Sequence, residues 1–148
     1  MNNLDSLKLD SQICFPVYVA SRLITRMYQP LLDKLNITYP QYLVMMVLWE
    51  SDGIPISEIT SLLILNTNTV TPLLQRMESL GLIERQRSKK DERQVIVTLT
   101  DKGRDLKNDA LLIPEKLSHH LISEQLNMDE LIQLKDSLTK LITNLKSQ

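Results

Sequence analysis

The sequence predicts a mainly α-helical domain carrying one small β-hairpin. Two observations point there. Apolar residues recur at helical spacing over most of the chain, and that period switches to two only once, between Leu82 and Leu99. A third excludes the alternative. With three Gly and six aromatic residues among 148, the chain lacks the turn formers and large β-formers of an all-β fold. At 43% apolar and 24% charged it has the balance of a globular chain, and its length suits one domain spanning 1–148.

The first helix follows from apolar positions 13, 17, 20, 24, 28, 31 and 35, with a regular start near Cys14 because Pro16 fits a first turn. Pro30 should kink it. Thr38 can cap a second helix opening at Pro40 and holding LVMMVLW, apolar all round and so expected to be buried. Ser51-Asp52-Gly53 ends that helix. IPISEITSLL forms a short third helix with Ser57 as its expected cap. The fourth begins at Asn66 or Thr67 and runs to Gly81, which suits the residue just past a helix end.

Residues 82–87 and 94–99 then alternate as two strands, joined by the polar loop SKKDER, which has nothing to bury. Thr100 starts a helix expected to reach Leu121 with a bend at Pro114. Leu131, Leu134, Leu138, Leu141 and Leu145 mark the last helix, spaced three and four apart. Positions 17, 21, 24, 28, 31 and 35 of the first helix repeat that stripe. Two such packing faces at opposite ends of a short chain can pack on each other within one chain, but they favour a homodimer, with 1–36 and 104–148 as its dimerisation helices and 37–103 as the central part.

Charge narrows the function. The net charge is −1, so bulk charge points to no polyanion. Yet residues 85–90 read RQRSKK, and 67–93 carry a local +2 against −3 elsewhere. A basic run alone also fits a solvated surface. Its context favours more. Two short helices followed by a hairpin is the order of a winged helix-turn-helix, whose second helix enters the major groove of DNA. Here that helix offers Thr67, Asn68, Thr69, Thr71, Pro72, Gln75 and Arg76, while the hairpin adds Arg87, Lys89, Lys90, Asp91 and Arg93.

ITYPQYLVMMVLW at 37–49 and TVTPLLQRMESLGLIERQRSKKDERQVIVTLTDKG at 69–103 strongly resemble the MarR family of winged-helix repressors, along nearly the whole chain. SQICFPVYVASRLITRMYQPLLDKLNITYPQYL is similar to its one-cysteine, peroxide-sensing OhrR branch, with MgrA and SarZ types as neighbours. The resemblance implies a homodimer on double-stranded DNA bearing a pseudo-palindromic operator. Within it DER at 91–93 is the wing-tip motif, Arg93 working at the minor groove and Asp91 helping to hold it. This chain departs from many relatives by Asn68 in place of Gly and Gln75 in place of Lys. The Gln removes a phosphate cation and adds an amide able to read adenine. Pro16, just after the Cys-Phe pair, is also unusual.

Cys14 is the single cysteine, so no internal disulfide or cysteine-based zinc site is expected. Taken alone it reads as a small buried hydrophobe. At a helix start, however, the positive end of the dipole favours thiolate. In the resemblance Cys14 aligns with the sensing cysteine. Tyr28 and Tyr39 align with tyrosines that bond to it across the dimer, and Tyr18 completes that pocket. A hydroperoxide would convert the thiolate to sulfenic acid, which a low-molecular-weight thiol can cap, or which over-oxidises, so that the operator is released. The same three tyrosines also suit an interface without redox chemistry.

No cofactor, metal or catalytic residue is expected. His119 and His120 are the only histidines, and nothing in the sequence places them beside Cys14 as a base. The alternative reading is a repressor gated by a small aromatic ligand. The polar, acidic start MNNLDSLKLD shows no signal peptide and no apolar run suits a membrane span, so a cytoplasmic protein is expected.

Overall fold

The computed structural model describes residues 5–148, so the first four residues of the segment read for a signal lie outside it. The described chain divides into two compact units, one ending at Leu111 and one from Leu112 to Gln148.

After two single turns, α1 (Cys14–Asp33) runs as one helix with Pro30 inside it, leaving the Arg26 carbonyl without its i+4 donor. Its start at Cys14 matches the expectation. α2 (Tyr39–Glu50) opens with a full capping box: Thr38 Oγ1 accepts from the Gln41 N–H at 3.4 Å, and Gln41 Oε1 accepts from the Thr38 N–H at 2.9 Å. Val44, Met45 and Leu48 of α2 are buried, but Met46 is exposed, so the helix is not buried on every side.

A strand missing from the sequence reading follows. β1 (Ile54–Pro55) pairs antiparallel with β3 (Val95–Leu99), Ile54 opposite Val97. The chain passes directly from it into α3 (Ile56–Leu63), so Pro55 occupies the cap position and Ser57 lies inside the helix and does not cap it. The expected Ser57 cap is therefore wrong, because pairing to β3 fixes the entry two residues earlier. α3 ends on Ile64 with φ +55°, left-handed backbone that a β-branched residue rarely adopts.

α4 (Thr67–Ser79) is capped by Asn66, whose Oδ1 accepts from the Thr69 N–H at 2.9 Å, a bond worth about 1 kcal/mol. It stops as expected. Gly81 takes φ +72°, and the N–H groups of Gly81 and Leu82 bond back to the carbonyls of Glu78 and Met77 at 2.9 and 3.1 Å. β2 (Ile83–Arg87) pairs with β3 from Ile83 opposite Leu99 to Arg87 opposite Val95. The wing is thus a three-stranded sheet in the order β1-β3-β2, larger than the expected hairpin. Val70, Leu73, Leu74 and Met77 of α4 join Ile59, Leu82, Ile83 and Val97 in the core, fixing the opposite face of α4 outward.

The helix expected from Thr100 to Leu121 is two helices. α5 (Asp101–Ala110) is capped by Thr100, whose Oγ1 accepts from the Gly103 N–H at 3.0 Å. α6 (Ile113–Leu121) restarts with Pro114 in its first turn, so the proline opens a helix where a bend was expected. α7 (Met128–Lys146) carries a capping box between Asn127 and Glu130, with none of its 19 residues buried. No described helix is long and apolar enough to cross a membrane.

Candidate nucleic-acid interface and sensor face

The outward face of α4 gathers the polar residues expected there. Thr67, Asn68, Thr69, Pro72, Gln75 and Arg76 are exposed and Thr71 is half-buried. The Thr69 hydroxyl donates to Asn66 Oδ1 at 3.0 Å, so toward a partner it offers only acceptor capacity. Pro72 has no N–H for the Asn68 carbonyl, which leaves that oxygen without its i+4 donor.

The wing loop is held by its own bonds. The Ser88 N–H donates to the Gln94 carbonyl at 2.8 Å, closing the loop, and Ser88 Oγ accepts from the Lys90 and Asp91 N–H groups at 3.2 and 3.3 Å. Asp91 Oδ1 accepts from the Arg93 N–H at 3.1 Å, so Asp91 holds Arg93 through its backbone. Arg87, Lys89, Lys90, Asp91 and Arg93 are all exposed. An open groove of about 460 Å³ runs between α3, α4 and the sheet, where Ser57, Thr60, Thr67 and Thr71 face Arg85 and Arg93. Hydroxyls facing guanidinium groups suit an anionic backbone.

The two arginines of that groove differ. Glu78 of α4 accepts from the Arg85 backbone N–H at 3.0 Å and from its guanidinium at 3.2 and 2.8 Å. Those bonds hold the Glu78 carboxyl below the usual carboxylate range. This pair, absent from the sequence reading, fastens β2 to α4 and sets the wing against the reading helix. Its partners are seven residues apart on different elements, a spacing that no single-element pattern reveals.

The same unit holds a ring cluster between α1 and α2. Tyr28 and Tyr39 stand 4.7 Å apart between centroids, as the resemblance implied that they would meet. Tyr42, which the sequence reading missed, joins them at 5.8 and 6.5 Å. Burial, then the neighbouring Tyr39 and Tyr42, push the Tyr28 phenol from 10.0 up to about 12. Burial also raises Tyr39 and Tyr42. All three hydroxyls therefore remain protonated donors at neutral pH.

A stability effect follows from the raised phenol. Ionisation costs the folded chain more than the unfolded one, so this contribution is complete below pH 10 and is lost as pH rises toward 12. Urea unfolding of wild type should weaken over that window more steeply than that of Tyr28→Phe. Equal slopes for the two proteins would contradict it.

Cys14 is the first residue of α1 and is exposed, so within one chain it is not a core residue. Tyr18 is also exposed, with the Arg22 guanidinium 5.4 Å over its ring. Fourteen residues of helix separate Cys14 from Tyr28, about 21 Å along the axis at 1.5 Å per residue. One chain therefore does not bring the cysteine to the tyrosines. Val17, Ser21, Ile24, Tyr28, Leu31 and Leu35, the stripe read from the sequence, are exposed or half-buried.

Known proteins resemble this arrangement along its whole length. Residues 26–110 match the family model for the transcriptional regulators SarA/Rot. The organic hydroperoxide resistance transcriptional regulator of Bacillus subtilis (strain 168) is 46% identical over 144 residues, 97% of this chain and 96% of that one. The regulator MgrA of Staphylococcus aureus is 37% identical over 139 residues, covering 93% and 92% of the two chains. Among solved structures, reduced AbfR bound to DNA superposes with a TM-score of 0.82 at 33% identity, over 99% of this chain and 98% of that one. AbfR is a Staphylococcus epidermidis protein. With a family model over more than half its length and a near-complete relative, this chain belongs to the SarA/Rot transcriptional regulators, winged-helix proteins of the MarR type.

Proposed function

We propose that this chain is a homodimeric, DNA-binding transcriptional repressor that releases its operator when an organic hydroperoxide oxidises Cys14. It acts in the cytoplasm as a regulator and not as an enzyme. The observation that carries the reading is the separation along α1 of Cys14 from Tyr28, whose ring belongs to a cluster of protonated tyrosine donors completed by Tyr39 and Tyr42 of α2. A second copy running antiparallel along α1 closes that gap. Pairing Cys14 with the opposite Tyr28 places the two-fold axis midway, at Ser21, a small exposed residue on the apolar stripe. Tyr28 and Tyr39 of one protomer then donate to the thiolate of the other, with Tyr18 beside them.

The thiolate sulfur attacks the peroxide's terminal oxygen, the O–O bond breaks, and an alcohol leaves once protonated. Cys14 becomes a sulfenic acid. A low-molecular-weight thiol then displaces water and leaves a mixed disulfide. Either product is larger than the thiolate and bonds differently, so the tyrosines must repack. At the other end of each unit, Thr67, Asn68, Thr71, Pro72, Gln75 and Arg76 meet the major groove. Arg87, Lys89, Lys90 and Arg93, with Asp91 bracing the loop, hold the flanking backbone and minor groove. The Bacillus subtilis relative named for organic hydroperoxide resistance and the DNA-bound AbfR support the two halves.

The test is operator binding with and without cumene hydroperoxide. Cys14→Ser should bind as reduced wild type does and ignore the oxidant. Tyr28→Phe and Tyr39→Phe should bind DNA yet react more slowly near neutral pH, with the deficit shrinking as pH rises. Each lost hydroxyl bond to a charged group is worth about 1.5–3 kcal/mol. Peroxide release by Cys14→Ser, or release of that variant by a salicylate-like compound, would favour a repressor gated by a small aromatic ligand.

A further inference from the structure

The ring cluster does not stop at the sensor face. Tyr42, buried on α2, meets Trp49 edge-on at 6.2 Å. The Trp49 indole Nε1–H donates to the Gly103 carbonyl at 2.9 Å, 54 residues further along the chain. The Lys107 ammonium returns to the Trp49 carbonyl at 3.4 Å. Trp49 is thus tied on one side to the tyrosines and on the other to the first turns of α5.

Gly103 sits at the root of the wing. A side-chain carbon there would overlap the Leu82 carbonyl, so the first turn of α5 lies directly against the residue from which β2 departs. That same carbonyl accepts from the Thr100 N–H at 3.1 Å, and the Thr100 hydroxyl donates to the Gly81 carbonyl at 2.6 Å. The end of β3 is fixed to the turn that follows α2 as well, because Asp52 Oδ1 accepts from the Leu99 N–H at 2.8 Å. β2 and β3 therefore leave from a block clasped by the C-terminal end of α2 and the turn that follows it. Trp49 is the aromatic residue of that end.

We infer that Trp49 is a positioning residue that couples the packing of Tyr28 and Tyr39 to the angle of the wing. The inference rests on the sensing role proposed for Cys14 and its tyrosines. Tyr42, against which the half-buried Tyr28 and Tyr39 pack, is buried, and a close-packed interior has no free volume there to absorb their move. A displacement of Tyr28 or Tyr39 must pass to Tyr42 and then to the indole. There a directed N–H bond, and not contact alone, carries it to Gly103. A phenylalanine ring fills most of that space but has no N–H to donate.

The experiment uses the full-length dimer. Wild type and Trp49→Phe are titrated with labelled operator before and after cumene hydroperoxide, while intact mass follows oxidation of Cys14. Wild type should lose operator affinity by about tenfold or more, and an equally oxidised Trp49→Phe by less than about threefold. Equal losses overturn the coupling. Wild type itself supplies a check that needs no substitution, since Trp49 is the chain's single tryptophan. Its emission should change as oxidation releases DNA; release at constant emission overturns the coupling. Should oxidised wild type keep its affinity, the sensing reading fails and the coupling is decided in the reduced protein. Tyr28→Leu should then speed amide exchange at residues 99–103 by about fivefold, but not when combined with Trp49→Phe. Additive effects overturn it.

Discussion

Placing Asp at both Leu138 and Leu141 should abolish the dimer and with it tight operator binding. α7 buries none of its residues, and Leu134, Leu141 and Leu145 expose 48%, 41% and 59% of their surface. A 19-residue helix whose leucines recur three and four apart carries a packing stripe. Burying two carboxylates in it without partners costs several kcal/mol, roughly what an ordinary domain has in reserve. A protomer freed in this way keeps one reading helix and one wing, so it loses the gain from two linked contacts on a palindrome, about a hundredfold or more. Sedimentation should show monomer or misfolded chain, and a mobility-shift titration should show the matching loss. A stable dimer that still binds operator would mean that the stripe faces water.

The parts of this fold legible in the sequence are those set by neighbours along the chain. The Asn66 and Thr38 caps, the left-handed Gly81 and the start of α1 at Cys14 depend on contacts within a few residues, and the inward face of α4 follows its helical period. What escaped depends on distant pairing. β1 is a strand only because Ile54 meets Val97, and two residues of Ile-Pro carry no period to read. The same pairing moved the start of α3 and took the cap from Ser57. The break between α5 and α6 was hidden because Leu111 and Leu112 continue an apolar pattern while no longer continuing the helix.

The candidate site divides along the same line. The polar face of α4 and the basic wing loop could be named from spacing and charge, because exposed residues are defined by what the buried face leaves outward. Tyr28 and Tyr39 came from resemblance, and the structure brings their rings together. Tyr42, Trp49 with Gly103, and Glu78 with Arg85 could not be named, since each acts through a partner on another element. Cys14 is the extreme case. The groups proposed to act on it lie about 21 Å away in its own chain, so its surroundings exist only between two copies.

Arg93→Ala should weaken operator binding sharply while leaving the dimer intact. Of the two guanidinium groups in the groove beside α4, that of Arg85 is paired with Glu78 at 2.8 Å. No ion pair engages Arg93 among the described residues, so its charge is available to DNA. Its position is also prepaid in conformational terms. Asp91 fixes its backbone at 3.1 Å and the 2.8 Å bond between Ser88 and Gln94 closes the loop beneath it. A charge-assisted bond from such a side chain contributes about 1.5–3 kcal/mol, or about tenfold to a hundredfold in affinity per half-site. Lys90 is held through its backbone as well, by Ser88 Oγ at 3.2 Å, but neither Lys89 nor Lys90 lines the groove beside α4. Replacing both with Ala should mainly flatten the salt dependence, lowering the slope of log affinity against log salt by about two per protomer. Fluorescence anisotropy across a salt series separates the two effects. Unchanged affinity for Arg93→Ala at every salt concentration would remove the hairpin from the DNA interface and leave α4 to bind alone.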